Sequence, residues 1–181
     1  HYIVITCFKY RFLMLNLENK KNNLEILIST TKKNNLDFIE RIFFENNYEN
    51  FPILIINQSQ SPLKNSTKEN IKIINSDSRG ISNSRNLAIE HSSEKYCLFA
   101  DDDIVYKKGF YELVLNEFEQ NKYADVITFM MEDENGNLFK DYTNISKHNK
   151  KSIREVNSVV IAFRREAVSY THLTLPTRRF V

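Results

Sequence analysis

Three glycines in a chain of 181 residues leave no room for a glycine-rich phosphate loop. Neither G-x-G-x-x-G nor G-x-x-x-x-G-K-S/T occurs, so the dinucleotide fingerprint and the P-loop are both excluded. Cysteine is equally scarce. Cys7 and Cys97 are too few and too far apart for a disulfide framework or a zinc knuckle. Cys97 sits in an apolar run and reads as a small buried thiol, which fits a reducing compartment. No two of the four histidines stand at metal-ligand spacing, and exposed side chains are their default reading. A net charge of +2 calls for neither nucleic acid nor an anionic membrane surface. Long hydrophobic runs are missing too. The opening HYIVITCFKYRFLML is interrupted by Lys9 and Arg11, too short and too broken to span a bilayer. It also lacks the small-residue cleavage site of a signal peptide. There is no internal repeat and no low-complexity tract.

What remains is an ordinary globular composition, 41% hydrophobic and 27% charged, at a length that suits one domain with a real core. The two ends stand apart from this pattern. The chain begins with His1, and Met14 is a natural start, so residues 1–13 are expected to be translated upstream sequence. The stretch VSYTHLTLPTRRFV, 168–181, resembles the read-through of a sequencing adapter and is expected to be a non-native tail. The domain is then expected over 14–167, with the genuine protein continuing beyond about Ala167.

From Leu24 the signals alternate. LEILIST reads as a buried strand, NLDFIERIFFEN as a helix with Leu36, Ile39, Ile42 and Phe43 on one face, and PILIINQS and IKIINSD as two more strands. SNSRNLAIEHSS follows as a helix with Ser82 as its N-cap. KYCLFA is a fourth strand, and KGFYELVLNEFEQN a helix presenting Phe110, Leu113, Val114 and Phe118 together. DVITFMM is a strand, Asn135-Gly136 suits a tight hairpin turn, and VNSVVIAFRRE is a last strand leading towards a helix. The order predicts an α/β fold with a mostly parallel sheet. Apolar strands without alternation predict helices on both of its faces. Tyr106, Phe110, Tyr111 and Phe118 read as core and rim rather than as a stacking platform.

The chemistry concentrates in LFADDDIV, residues 98–105, where three aspartates follow an apolar strand. In open α/β sheets ligands bind beyond the carboxyl ends of the strands. Adjacent carboxylates repel, and a divalent cation relieves that repulsion. In an extended segment residues two apart point the same way, so Asp101 and Asp103 are expected to face one site with Asp102 turned aside. Two carboxylates suit Mg²⁺ or Mn²⁺, which takes its other oxygens from water and substrate phosphates. A solvated acidic turn is the bland alternative.

The surrounding stretch SRGISNSRNLAIEHSSEKYCLFADDDIVY, residues 78–106, resembles a family 2 glycosyltransferase of the GT-A fold. Members carry R-G-x-S-x-A-R-N-x-G-I, then a strand, then D-x-D. Arg79, Gly80, Ser82, Arg85 and Asn86 occupy those places, with Ser84 for the usual alanine and Ala88 for the usual glycine. The resemblance spans residues 24–167. It implies a GT-A, Rossmann-like sheet with an incomplete C-terminal part. It also implies a nucleotide-diphospho-sugar donor, UDP- or GDP-linked, and a saccharide or lipid-linked acceptor. Mn²⁺ or Mg²⁺ would bridge the aspartates and the donor diphosphate. Asp103 is then the direct metal ligand, and Asp101 holds the ribose or a metal-bound water. Asp101 and Asp102 are both placed at the nucleotide. Arg79 and Arg85 would meet phosphate, as guanidinium and helix N-termini do. Ser29, Thr30 and Thr31 end the first strand near base and ribose. Asn57 and Gln58 end the second, where the family usually has a base-reading aspartate. The implied role is bacterial surface-polysaccharide synthesis by inversion, in the cytoplasm and at the inner membrane face.

No catalytic base is assigned. The family's base follows the AFRRE strand, and nothing after Glu166 fits. Glu132, Asp133 and Glu134 precede the Asn-Gly turn and read as a solvated rim. The basic KHNKKSIR, 147–154, reads as a solvated loop that could approach an anionic acceptor. Three other readings stay open. The first is a non-catalytic nucleotide-sugar-binding subunit. The second is a haloacid-dehalogenase-like phosphatase, whose D-x-D-x-V belongs on the first strand. The third is a nucleotidyltransferase, which would want glycine in STTKKNN.

Overall fold

Strands rich in leucine and isoleucine build the middle of a six-stranded sheet in order β3-β2-β1-β4-β6-β5. The structure is a computed structural model that describes residues 23–139 and 159–169. Its strands are β1 (Leu24–Thr30), β2 (Ile53–Asn57), β3 (Ile71–Asn75), β4 (Tyr96–Asp101), β5 (Val126–Thr128) and β6 (Ile161–Arg164). The helices are α1 (Asp37–Ile42), α2 (Ile81–His91), α3 (Phe110–Gln120) and α4 (Arg165–Ser169). β1 to β4 run parallel, while β6 pairs antiparallel with both β4 and β5. The chain moves outward through β2 and β3 on one side of β1, then returns to set β4 on the other. The strand order therefore reverses between β1 and β4, the place at the carboxyl edge where open α/β sheets bind their ligands.

Both faces of the sheet are covered, as the continuous apolar strands predict. On one, Leu24, Ile26, Ile28, Ile53, Ile55 and Leu98 meet Phe38, Ile39 and Ile42 of α1 and Phe110, Val114 and Phe118 of α3. On the other, Leu27, Leu54, Ile56, Cys97 and Phe99 meet Ala88 of α2, with Val168 of α4 packed alongside. The first face is aromatic. Phe43 stacks on Tyr106 and Phe110 at ring separations of 5.5 and 5.6 Å, and Phe51 stacks on Tyr111 at 4.3 Å. Truncating such a buried phenylalanine costs about 3–5 kcal/mol. Tyr106, Phe110, Tyr111 and Phe118 are thus core residues, and Cys97 is a buried thiol.

Four local expectations change. Ser82 does not cap α2. The cap position is Gly80, at φ +104°, with no side-chain capping bond, and the helix begins at Ile81. α1 stops at Ile42 because Asn46 is recruited elsewhere. Its amide donates to the Tyr106 carbonyl at 2.9 Å, and its oxygen accepts from the Gly109 N–H at 3.1 Å. The strand expected over DVITFMM shrinks to Val126–Thr128, and Met130 and Met131 turn inward. A hairpin follows, with Glu132 bridged to Leu138, but its turn is wider than a two-residue Asn-Gly loop. The Gly136 N–H reaches back to the Asp133 carbonyl at 3.0 Å, and Gly136 takes φ +79°. The basic KHNKKSIR stretch and the start of the expected last strand lie outside the described residues.

Candidate functional site

The aspartates are placed by what flanks them. β4 is buried from Tyr96 to Ala100, and Ile104, Val105 and Tyr106 are buried again directly afterwards. The Tyr106 N–H also bonds the Ile42 carbonyl at 2.8 Å. A chain anchored on both sides of three polar residues has to turn through them, and β4 ends at Asp101 with Asp102 and Asp103 in a turn. This corrects the extended-segment expectation: strand alternation does not carry through to Asp103.

Each aspartate meets a different environment. Asp101 stands beside Ser29 in the parallel register, 3.4 Å from the Arg85 guanidinium. Burial raises its carboxyl above the ordinary value, Arg85 pulls it back, and Asp103 and Asp102 push it up further. Arg85 is 7% exposed and lies over the Phe99 ring at 4.9 Å. Its own pKa is lowered by desolvation, against which Asp101 acts. Asp102 is held by the fold. Its carboxylate accepts from the Thr30 hydroxyl at 2.5 Å and lies 3.9 Å from the Lys33 ammonium. Its carbonyl accepts from Arg41 at 2.7 Å. These contacts latch the β1–α1 connection to the aspartate turn. Asp103 is exposed.

The other expected residues divide in the same way. Ser29 and Thr30 reach the carboxyl edge of β1, Thr30 fully buried, and Thr31 is exposed beyond it. Asn57 lies level with Thr30 and Asn75 across β1, β2 and β3. Its amide nitrogen donates to the Ser61 carbonyl at 3.1 Å and to Asn75 Oδ1 at 2.8 Å, and its oxygen accepts from the Ser59 N–H at 3.1 Å. That side chain closes the loop after β2. Gln58, buried beside it, donates to the carbonyls of Ser78 and Gly80. Arg79 is exposed immediately before α2 and makes no ion pair among the described residues. The structure therefore brings Asp101 into contact with Arg85 and Asp102 into contact with Thr30, while Arg79 and Asp103 are exposed. Among the rim acids, Glu132 is bound to Lys107 at 2.5 Å. Asp133 accepts from both Asn135 and Asn137 within the turn, which holds its carboxyl below the ordinary value.

Sequence reasoning missed Arg41, Lys33 and the clamp made by Gln58. The lysine pair in STTKKNN is visible beside the first strand, but nothing in the sequence marks Arg41 as a neighbour of a turn 61 residues away.

Among the described residues no group of three or more His, Cys, Asp or Glu is arranged to hold a metal ion alone. The donor set nevertheless fits a hard cation. Asp101 is a half-buried carboxylate and Asp103 an open one. Two such oxygen donors match an ion that completes its shell from phosphate and water.

The chain is thus an α/β fold whose strand order reverses at the sheet's centre, with acidic residues at that point. The sequence profile of glycosyl transferase family 2 matches residues 17–171, and the chain belongs to that family. No curated protein matches it. The fold is similar to that of TarS from S. aureus, residues 1–349, with a TM-score of 0.61 at 15% identity over 85% of this chain. The TarS complex with UDP-GlcNAc gives 0.62 at the same identity, and the complex with UDP gives 0.61. The chain spans about half of the TarS 1–349 length, 50% and 48% in the first two structures. The fold is thus the GT-A arrangement with its C-terminal part incomplete. Family membership sets aside the phosphatase and nucleotidyltransferase readings. No helix among the described residues is long and apolar enough to cross a membrane.

Proposed function

We propose that the protein is the donor-binding part of an inverting, metal-dependent glycosyltransferase. On this reading it takes a sugar from a UDP- or GDP-linked donor and passes it to a hydroxyl of a saccharide or lipid-linked acceptor. The setting is bacterial surface-polysaccharide synthesis, in the cytoplasm and peripherally at the inner membrane face. The observation that carries the reading is the placement of the aspartate turn at the β1/β4 reversal, within the stretch that matches the family motif. The TarS complexes with UDP-GlcNAc and UDP support a uridine donor.

The side chains divide the work. Asp101 and Asp103 would hold Mn²⁺ or Mg²⁺, which when bound offsets negative charge on the departing nucleoside diphosphate. Arg79, exposed at the amino end of the 11-residue α2, offers a guanidinium beside free helical N–H groups, a combination that favours phosphate. Ser29 and Thr31 border the nucleotide. Thr30 and Asp102 meet each other first, so their part is to hold that edge in shape. Arg85 acts on the donor through Asp101, whose orientation and charge it supports from a desolvated position. Asn57 stiffens the loop under the nucleotide base, so this position carries no charged acceptor for it. No described residue takes the role of base that removes the acceptor proton, so the chain is expected to bind donor and to transfer sugar poorly.

A thermal-shift panel of UDP, GDP and CDP, each with and without Mn²⁺, tests this. A metal-dependent rise for one nucleotide, lost in Asp103→Ala, supports it. No rise with any nucleotide, or an equal rise without metal, overturns it.

A further inference from the structure

We propose that Gln58 is a positioning residue that holds Arg79 towards the donor diphosphate. The inference rests on the reading that Arg79 meets that group. Gln58 follows directly on β2 and is 2% exposed. Its own N–H donates to the Thr30 carbonyl at 2.8 Å, which fixes it to the carboxyl edge of β1. Its side-chain nitrogen donates to the Ser78 carbonyl and, at 3.2 Å, to the Gly80 carbonyl. These are the carbonyls on either side of Arg79. The carbonyl of Arg79 itself accepts from the Asn83 amide at 2.7 Å, and that of Gly80 also accepts from the Ser84 N–H at 3.1 Å. All three successive carbonyls are thus fastened towards the protein, while the Arg79 side chain is exposed.

The physical consequence concerns order. An arginine on a loose loop loses conformational freedom when it engages phosphate, and that loss weakens binding. A backbone already fixed by a buried amide removes part of the loss. Gly80 at φ +104° takes a conformation that glycine adopts freely, so the hydrogen bonds to the carbonyls on either side of Arg79, rather than local sterics, select it here. A glutamine also fits where an acid does not. Its nitrogen can serve two carbonyls, whereas a carboxylate at the same place would face two acceptors. The glutamine therefore has a use here: its side chain is turned to the loop that carries the arginine.

The test is a double-mutant cycle read by isothermal titration. UDP and GDP, each with MnCl₂, are titrated into the chain, Arg79→Ala, Gln58→Leu and the double variant. Arg79→Ala is expected to weaken the bound nucleotide about tenfold, the loss of one charge-assisted contact. Gln58→Leu is expected to weaken it about three- to tenfold alone and not at all in the Arg79→Ala background. Gln58→Met, which keeps the bulk of the side chain, gives the same pattern and serves where Gln58→Leu lowers the thermal midpoint. Equal losses in both backgrounds would mean a general structural role and overturn the clamp. So would an unchanged affinity in both Gln58 variants while Arg79→Ala weakens binding. An Arg79→Ala variant that binds like the parent overturns the diphosphate reading of Arg79 itself. Failure of both nucleotides to bind the parent overturns the donor site as a whole.

Discussion

The two edges of the sheet handle charge in opposite ways. At the amino edge a cavity of about 680 Å³ is lined by Glu25, Glu49, Lys68, Glu69, Lys72 and neighbouring polar residues. Three of its charges are met locally. Lys68 bonds Glu49 at 3.1 Å and Tyr48 at 2.8 Å, and the buried Glu25 accepts from the Ser93 N–H at 2.7 Å. At the carboxyl edge three adjacent aspartates share one fully engaged member, one half-buried member and one open member, with an exposed arginine nearby. The amino edge holds a cavity whose central charges already have partners, whereas the carboxyl edge leaves Asp103 and Arg79 open to a ligand. Chemistry belongs where charges are left to be completed, and a cavity alone does not mark that place.

Four measurements would break or sharpen this contrast. The largest effect acts on both edges alike and marks the range in which they can be compared. Burial pushes the Cys97 thiol from its ordinary 9.0 up to about 12, and raises the phenols of Tyr106 and Tyr111 above 10.0. Groups raised on folding lend stability that is complete below their unfolded values and lost as pH rises through the folded ones. The thermal midpoint is therefore expected to hold up to about pH 9 and to fall steeply towards pH 12. A flat profile across that window would contradict the packing of β4 against both helical layers.

The next effect separates the edges. With nucleotide and Mn²⁺ at about a hundred times the Kd, stability is expected to rise by about 2.7 kcal/mol. Asp103→Ala should abolish the metal-dependent part, while Lys72→Ala at the amino edge should leave it whole. A loss in the second variant would put the ligand at the wrong edge.

Thr30→Val removes the hydroxyl that meets Asp102 and leaves a part-buried carboxylate short of a donor, at a cost of about 1–3 kcal/mol in urea unfolding. Thr30→Ser should recover most of it. If Thr30→Val unfolds like the parent, the latch carries no stability. The smallest effect is expected at Lys68→Ala. Tyr48 and Glu49 raise the lysine's pKa, but the pair stays open to solvent, so the change in thermal midpoint should stay within error.

Much of the scaffold is legible in particular residues. Ile26 to Ile28 and Ile53 to Ile56 are apolar without interruption because helices cover both faces. The site is legible only in part. The family motif marks Arg79, Arg85 and the aspartates, but Asp101 and Asp103 do not share a strand face, because Ile104 and Tyr106 draw the chain back into the core directly afterwards. Ser82 looked like a cap from its type alone, whereas the loop conformation at Gly80 sets where α2 begins. Val126–Thr128 is a short strand, although the apolar run continues through Met130 and Met131, and no local pattern announces where it ends.

The sequence by itself determined the class of fold, the family and the edge at which polar chemistry collects, because hydrophobic periodicity and local motifs are properties of neighbours along the chain. Only the tertiary structure decided what each side chain at that edge does. Thr30 meets Asp102 across 72 positions, Arg41 reaches it across 61, and Gln58 spans 20 and 22 to grip both sides of Arg79. Such contacts depend on the parallel register that sets β1, β2 and β4 edge to edge, and register is fixed by the packing of whole layers rather than by any one stretch of residues.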